Sequence, residues 1–202
     1  TPTPSSAASD VYKRQDMDRK LSRHMMRNGS EHESLAEASH DAWIHLYRSN
    51  AFSREIQISY YLEAELGIFC LDAELRRRSK GKHGICDLMA KLCEKYALGY
   101  PNATKLGVDY KDIRKELVNM EGGRNLGMYL DDMVYAKSAP EITHALEFYG
   151  LCLTSKMNQD KTPSLSWLGL NISDKAGRVT VSSHQSNSTL RNLIMPGAVS
   201  YT

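Results

Sequence analysis

The segment Ile58–Arg78 constrains the fold of this chain more than any other, because it is the longest run with regular helical periodicity. Its apolar residues recur at spacings of three and four, which is typical of an amphipathic helix with a wide apolar face. One row contains Tyr61, Ala64, Ile68, Leu71 and Leu75, and a second contains Leu62, Leu66, Phe69 and Ala73. A helix of this length spans about 30 Å. We therefore predict that it is the central helix of a helical domain.

The composition is that of an ordinary globular protein, and it excludes several classes of partner. The 202 residues are 41% hydrophobic and 25% charged, which argues against a disordered or fibrous chain. The net charge of +2 at pH 7 is too small to indicate a nucleic-acid partner. No apolar run reaches the ~18 residues that a membrane span requires. We expect neither nucleic acid nor a membrane as a partner.

The cysteines give a prediction about compartment. Cys70, Cys86, Cys93 and Cys152 have no C-x-x-C spacing, and three of them fall at apolar positions of predicted helices. We interpret them as buried free thiols, with zinc or disulfide use as the alternative. This favours a reducing compartment such as the cytoplasm.

The chain divides into three predicted regions. Residues 1–15 have no usable periodicity and no apolar signal-peptide core, so we expect a non-native or disordered leader there. Residues 16–155 are predicted to form a helical subdomain. Residues 156–202 are predicted to form a β segment, because residues 178–182 alternate as a strand does, after a turn at residues 173–177.

Helix start and stop signals divide the helical subdomain further. Ser34 and Glu37 have the spacing of a capping box, which predicts a helix from Leu35 to about residues 48–50. The basic run Arg76–Arg78 suits the last turn of the central helix, and Gly81 follows as a stop. Further helices are predicted at about residues 85–97, after Asp109, around residues 126–134, and from Pro140 to Gly150.

No catalytic motif is complete in this sequence. His32-Glu33-Ser34-Leu35-Ala36 begins like the zinc motif H-E-x-x-H, but Ala36 stands where the second histidine must be. Ser39-His40-Asp41 places the residue types of a triad side by side, whereas a triad is assembled in space. Arg76–Arg78 can bind an anion or simply cap the helix in solvent. Tyr61 can donate to an oxyanion or fill a core.

Two segments carry a resemblance to a known family. Together they contain the sequences SLAEASHDAWIHLYR (residues 34–48) and ISYYLEAELGIFCLDAELRRRSKGK (residues 58–82). These resemble the glycyl aminopeptidase family of zinc metallopeptidases, in which the same elements come in this order. The resemblance covers residues 28–153 well and residues 165–183 weakly.

The resemblance implies a fold, a cofactor and a site residue. It implies the helical C-terminal subdomain of a thermolysin-like (gluzincin) peptidase, followed by a truncated PDZ-like β segment. It implies zinc in the parent protein, with ligands upstream of this chain and none in it, and a peptide as substrate. In related zinc aminopeptidases the tyrosine of a Tyr-x-Lys-Gly motif binds the tetrahedral intermediate, and the matching residue here is Tyr61. Glu63 and Ala64 replace the lysine and glycine of that motif.

Two hypotheses about function follow from these observations. The first is a fragment of a zinc-dependent aminopeptidase that removes N-terminal residues from peptides, with Tyr61 as the catalytic residue that the fragment supplies. We expect that the fragment alone neither hydrolyses peptides nor binds zinc tightly. The alternative is a non-catalytic helical scaffold or interaction module with a PDZ-like element, to which the Glu63 and Ala64 replacements point.

Overall fold

The computed structural model describes residues 4–25, 29–45, 48, 57–99, 101, 105, 107–154, 169–175, 178–184, 188, 190, 193–195 and 198–201. The chain separates into two compact units. The first contains Thr1–Leu62 and Lys156–Thr202, and the second contains Glu63–Ser155. The described residues are mainly helical, with one antiparallel sheet, which confirms the predicted fold class.

The described residues form eight α-helices and one 3₁₀ helix. In chain order they are α1 Pro4–Met25, a 3₁₀ helix Gly29–Glu31, α2 Leu35–His40, α3 Ala42–His45, α4 Tyr60–Arg78, α5 Ile85–Tyr96, α6 Tyr110–Val118, α7 Leu126–Tyr135 and α8 Ile142–Phe148. The helices predicted at the central segment and after it are all present, and their ends differ from the predicted ones by at most two residues.

The N-terminal region differs from the prediction. Helix α1 begins at Pro4 and includes residues 4–15, which the sequence analysis assigned to a leader without structure. The segment contains good helix formers such as Ala7, Ala8 and Lys13, so a helix from residues 16–25 can extend backwards through it. Within α1, Leu21 is buried at 6% exposure. Whether residues 1–15 are native to the protein stays a prediction.

The helix predicted from Leu35 to residues 48–50 is interrupted at Asp41. Helix α2 ends at His40, and Asp41 has φ −91° and ψ 9°, outside helical geometry. Its amide donates to the Glu37 carbonyl oxygen at 2.9 Å, while its own carbonyl accepts from the Ile44 amide at 2.9 Å. Aspartate is a poor helix-interior residue because its short side chain competes for nearby hydrogen bonds. The continuous helix is therefore replaced by two short ones, α2 and α3.

Helix α4 has the predicted length, but its buried face is displaced from the predicted one. The residues buried in it are Glu63, Leu66, Gly67, Cys70, Leu71, Ala73 and Leu75. Tyr61 is 69% exposed and Ile68 is 37% exposed, although both belong to the predicted apolar row. Gly67 explains part of the shift, since a Cβ there would lie 2.5 Å from Met133 Sδ. The small residue, not the larger Ile68, lies where α7 packs closely.

The core of the second unit lies between α4, α5, α6 and α7. Its most buried members are leucines: Leu75, Leu117 and Leu126 have no measurable exposure, and Leu71 is 1% exposed. The full cluster is Leu71, Leu75, Leu88, Leu92, Tyr96, Leu117, Met120, Leu126 and Leu130. Burial of a leucine side chain stabilises a fold by roughly 1.5–3 kcal/mol, so this cluster accounts for the compactness of the unit.

Hydrogen-bonded caps fix several helix ends. Asp109 caps α6 and forms a capping box with Asp112, as the position of Asp109 predicted. Gly150, with φ 72°, closes α8. Its amide donates to the Glu147 carbonyl and the Leu151 amide donates to the Leu146 carbonyl, both at 2.9 Å. This is the Schellman arrangement, in which a left-handed residue ends the helix.

The sheet is an antiparallel meander in the order β1-β2-β3. The strands are β1 Leu170–Lys175, β2 Arg178–His184 and β3 Val199–Tyr201. The predicted hairpin is present, but the turn was predicted too long: residues 173–175, assigned to it, belong to β1, and Lys175 pairs with Arg178. β3 was not predicted, because three residues are too short for a periodicity. The structure provides no confirmation of a PDZ-like domain.

Candidate functional site

Tyr61 lies in the first turn of α4, with its side chain in solvent. Its side chain is 69% exposed, whereas the neighbouring Tyr60 is half-buried. The two rings are 4.2 Å apart between centroids and tilted by 32°. Tyr61 therefore does not fill a core, and its position at the positive end of a helix suits a group that contacts a developing negative charge. The catalytic role itself stays a prediction.

Two contacts fix the segment that leads into α4. The Ile58 amide donates to Glu33 Oε2 at 3.3 Å. On the same segment, Gly29 lies so close to Gln57 that a Cβ at residue 29 would be 2.4 Å from the Gln57 carbonyl oxygen. Glycine is therefore required at residue 29 by the close approach of two backbones.

The predicted capping box at the start of α2 is confirmed. Ser34 Oγ accepts from the Glu37 amide at 3.2 Å, and Glu37 Oε2 accepts from the Ser34 amide at 2.9 Å. Ser34 is buried at 4% exposure. This box holds the residue before it, Glu33, in a defined place, and that residue carries the contact to Ile58.

Sequence reasoning missed the role of Glu33. It considered the residue only as part of an incomplete zinc motif, in which His32 would be a ligand. In the structure His32 is exposed, and the Glu33 carboxylate binds a backbone amide 25 residues further along the chain. No spacing rule detects a contact at that separation. The only indication in the sequence is that Glu33 lies immediately before the capping box, which fixes its backbone.

Glu63, which stands in place of the family's lysine, is a buried side chain of α4. It is 7% exposed, while Ala64 is half-buried. A glutamate in place of a lysine reverses the charge near the beginning of the helix. This is the main departure of the chain from the motif that Tyr61 matches.

The described residues do not fit a zinc site. No group of three or more His, Cys, Asp or Glu residues in the described part of the chain is arranged to hold a metal ion. His40 Nδ1 and Asp41 Oδ1 lie 2.8 Å apart, yet the His40 side chain is 88% exposed and Ser39 is exposed as well. The Ser39-His40-Asp41 sequence is therefore a surface pair and not a triad.

The basic run at the end of α4 is engaged in intramolecular ion pairs. Arg76 Nε donates to Asp72 Oδ2 at 2.8 Å, Arg77 Nη2 donates to Glu74 Oε1 at 2.6 Å, and Arg78 Nε donates to the same oxygen at 2.6 Å. The Arg78 side chain also donates to the Arg124 carbonyl at 2.9 Å. Of the two roles considered for this run, the structure favours the helix cap over anion binding.

Asp72 is a half-buried carboxylate of α4 that accepts three hydrogen bonds. Besides Arg76, it accepts from the Ile85 amide at 2.6 Å and from the Tyr149 hydroxyl at 2.7 Å. Burial raises the pKa of the Asp72 carboxyl, but the three donors outweigh it and hold that pKa below its usual value. Partial burial and the bond to Asp72 raise the pKa of Tyr149 to about 12. These groups join α4, α5 and α8 and do not titrate near neutral pH.

Cys70 is the one predicted buried thiol that the structure places in a core. It is 4% exposed, and burial raises its pKa to about 11. Such a thiol is inert as a nucleophile at neutral pH. Cys86, Cys93 and Cys152 are exposed, so the prediction of buried thiols is wrong for these three. Residues 86 and 93 lie on the outer face of α5, seven residues apart.

The fold is similar to that of a solved peptidase-family structure. An aminopeptidase N family protein from Idiomarina loihiensis matches with a TM-score of 0.70 and 19% sequence identity. The match covers 88% of this chain and 31% of that protein. The chain thus spans less than a third of the structure that it resembles, and the likeness shows the fold alone.

A family model gives the more specific relationship. The model of the M61 glycyl aminopeptidase family matches residues 4–66, which include the capping box of α2 and the first turn of α4 with Tyr61. This confirms the resemblance to the glycyl aminopeptidases over that segment. No protein of curated function matches the chain in sequence. Among the described helices, none is both long and apolar enough to cross a membrane.

Proposed function

We propose that this chain is part of a zinc-dependent aminopeptidase that removes N-terminal residues from peptides, and that Tyr61 is its contribution to catalysis. The observation that carries the proposal is the exposed Tyr61 side chain at the start of α4, within the segment that matches the glycyl aminopeptidase model. The zinc ligands implied by that family would be held by sequence outside the described residues.

The proposed role of Tyr61 is to donate a hydrogen bond. When water adds to a peptide carbonyl, the oxygen gains negative charge, and a phenolic O–H placed against it stabilises that charge in the transition state more than in the substrate. The amino terminus of α4 adds a favourable field at the same place, because its first amide groups have no partner within the helix.

The test is a pair of variants in the longest native protein that contains this chain, supplied with zinc. Tyr61→Phe removes the hydroxyl and keeps the ring, so we expect kcat to fall about 10²–10³-fold with little change in the thermal midpoint. Tyr60→Phe is the matched control, because it removes a hydroxyl one residue away on the half-buried side. Equal turnover in Tyr61→Phe and the parent would refute the proposed role.

A second candidate is a non-catalytic scaffold or interaction module descended from such a peptidase, which has the helical fold and a PDZ-like element but no turnover. The observation that favours it is Glu63, a buried acid where the family has a lysine. The same experiment separates the two candidates. Turnover of an N-terminal glycyl or alanyl substrate by the parent favours the enzyme, and its complete absence with bound zinc favours the scaffold.

A further inference from the structure

The place of Tyr61 depends on the segment immediately before α4. The helix begins at Tyr60, so only Ser59 separates Ile58 from the helix and two residues separate it from Tyr61. A displacement of Ile58 is therefore transmitted directly to the first turn. A reacting group misplaced by about 1 Å can lose about 10² in rate, so whatever holds Ile58 matters for the proposed chemistry.

Glu33 holds the Ile58 amide. Ile58 is 9% exposed, and a buried amide requires a hydrogen-bond partner. Glu33 Oε2 provides it at 3.3 Å. The carboxylate also brings a negative charge near the positive end of α4, which is the favourable orientation for a helix dipole.

Glu33 is itself anchored. It is followed directly by Ser34, whose side chain and amide are both engaged in the capping box with Glu37. The backbone on its other side belongs to a tight turn, because the Glu33 amide donates to the Gly29 carbonyl at 2.9 Å. The carboxylate therefore extends from a fixed base to the Ile58 amide.

Gly29 contacts the same segment independently. An added Cβ at this residue would lie 2.4 Å from the Gln57 carbonyl oxygen and 2.8 Å from the Ile58 nitrogen. Gly29 is buried. The turn at residues 29–33 therefore contacts this segment in two ways. Glu33 accepts a hydrogen bond from Ile58, and the Gly29 backbone packs closely against Gln57 and Ile58.

We propose that Glu33 is a positioning residue, which holds the Ile58 amide and thereby sets the place of the Tyr61 hydroxyl. The inference rests on the proposed function of Tyr61 and adds a residue that acts through it. Glu33 does not contact the substrate in this proposal, and it transfers no proton.

The experiment uses the longest native protein and combines hydrogen exchange with kinetics. In Glu33→Ala we expect exchange at the Ile58 amide to become about tenfold faster and kcat to fall about tenfold, with KM unchanged. Glu33→Gln retains a carbonyl oxygen as acceptor and should restore most of both values. Gly29→Ala displaces the same segment by another route and should also lower kcat. Circular dichroism checks that each variant is folded.

A double variant distinguishes positioning from a general loss of stability. If Glu33 acts through the Tyr61 hydroxyl, Glu33→Ala should cost nothing further in a Tyr61→Phe background, because the effects of residues that act as a unit do not add. A multiplicative loss in the double variant would overturn the inference, and so would unchanged Ile58 exchange in Glu33→Ala.

The outcomes also separate this inference from the proposed function. If Tyr61→Phe lowers kcat while Glu33→Ala speeds Ile58 exchange without changing kcat, the function stands and the positioning role is overturned. If Tyr61→Phe leaves kcat unchanged, or the zinc-loaded parent has no turnover, the proposed function fails and the positioning role fails with it.

Discussion

The two ends of α4 are built in opposite ways. At the carboxyl end, Leu71 and Leu75 are buried in the core of the second unit, and Arg76, Arg77 and Arg78 are paired with acids on the same helix. At the amino end, the Tyr61 side chain in the first turn is 69% exposed. The stability of the fold explains the residues at the carboxyl end, but it does not require an exposed aromatic ring at the amino end.

This difference shows where function is to be sought. Charged residues that attract attention in a sequence, such as a run of three arginines, can be fully occupied in ending a helix. The exposed Tyr61, which follows the segment that Gly29 and Glu33 contact, has no equivalent structural explanation. We expect the residues at the carboxyl end of α4 to contribute to stability alone, and variants at that end can test this.

The largest effect is expected from the core at the carboxyl end. Leu75 is fully buried, so Leu75→Ala should lower the free energy of unfolding by about 2–5 kcal/mol through lost burial and the cavity left behind. Ile68→Ala, on the same helix but 37% exposed, is the matched control and should cost less than about 1 kcal/mol. Urea unfolding measures both. Equal losses would mean that Ile68 belongs to the core as the periodicity first suggested.

The exposure of Ile68, which belongs to the predicted apolar row, also shows how far the sequence could predict the fold. Periodicity located α4 and the helices after it because each buries a face that repeats every three or four residues. It could not place the centre of that face, since the buried residues include Glu63 and Gly67, which a hydrophobic pattern does not count. Gly67 is buried by its close approach to Met133.

The candidate site was predictable only in part. A motif resemblance located Tyr61, and a capping rule located Ser34 and Glu37. The contact of Glu33 with Ile58 joins residues 25 apart, and the close approach of Gly29 to Gln57 joins the same two segments. Similarly, the three-residue strand β3 depends on its pairing with β2, which local patterns do not encode.

The next effect is a dependence of stability on pH at the carboxyl end. Hydrogen bonds from Arg77 and Arg78, less a smaller opposing effect of burial, lower the pKa of Glu74 from 4.5 to about 2. Because the folded pKa is the lower one, this stabilisation is complete above about pH 4.5 and is lost as pH falls towards 2.

Glu74→Gln should therefore lower stability at pH 7 by about 1 kcal/mol, a value limited by the exposure of the arginines, and should remove part of the loss in acid. Asp132→Asn, a change at an exposed acid of α7, is the control. Thermal unfolding between pH 2 and 7 checks the difference. Parallel curves for Glu74→Gln and the parent would show that the ion pairs contribute nothing.

The smallest effect concerns the residues that end α4. Lys80 has φ 55° and Gly81 has φ 81°, so both lie in the left-handed region. The Gly81 amide donates to the Arg76 carbonyl at 2.7 Å, which completes a Schellman closure around Lys80. The left-handed conformation costs a residue with a Cβ about 1–2 kcal/mol. Glycine avoids this strain, but part of the benefit is offset by the greater conformational freedom of glycine in the unfolded chain.

Lys80→Gly should therefore raise the free energy of unfolding by about 0.5 kcal/mol. Lys80→Ala, which removes the exposed side chain but keeps the Cβ, should leave it unchanged. Gly81→Ala should lower it by about 1 kcal/mol through backbone strain alone, because a Cβ there meets no atom within 4 Å. Chemical denaturation measures the free energy of unfolding of the three variants. Equal values for Lys80→Gly and Lys80→Ala would show that the left-handed conformation of Lys80 costs no stability. The carboxyl end of α4 would then be optimised for stability at Lys80 as well.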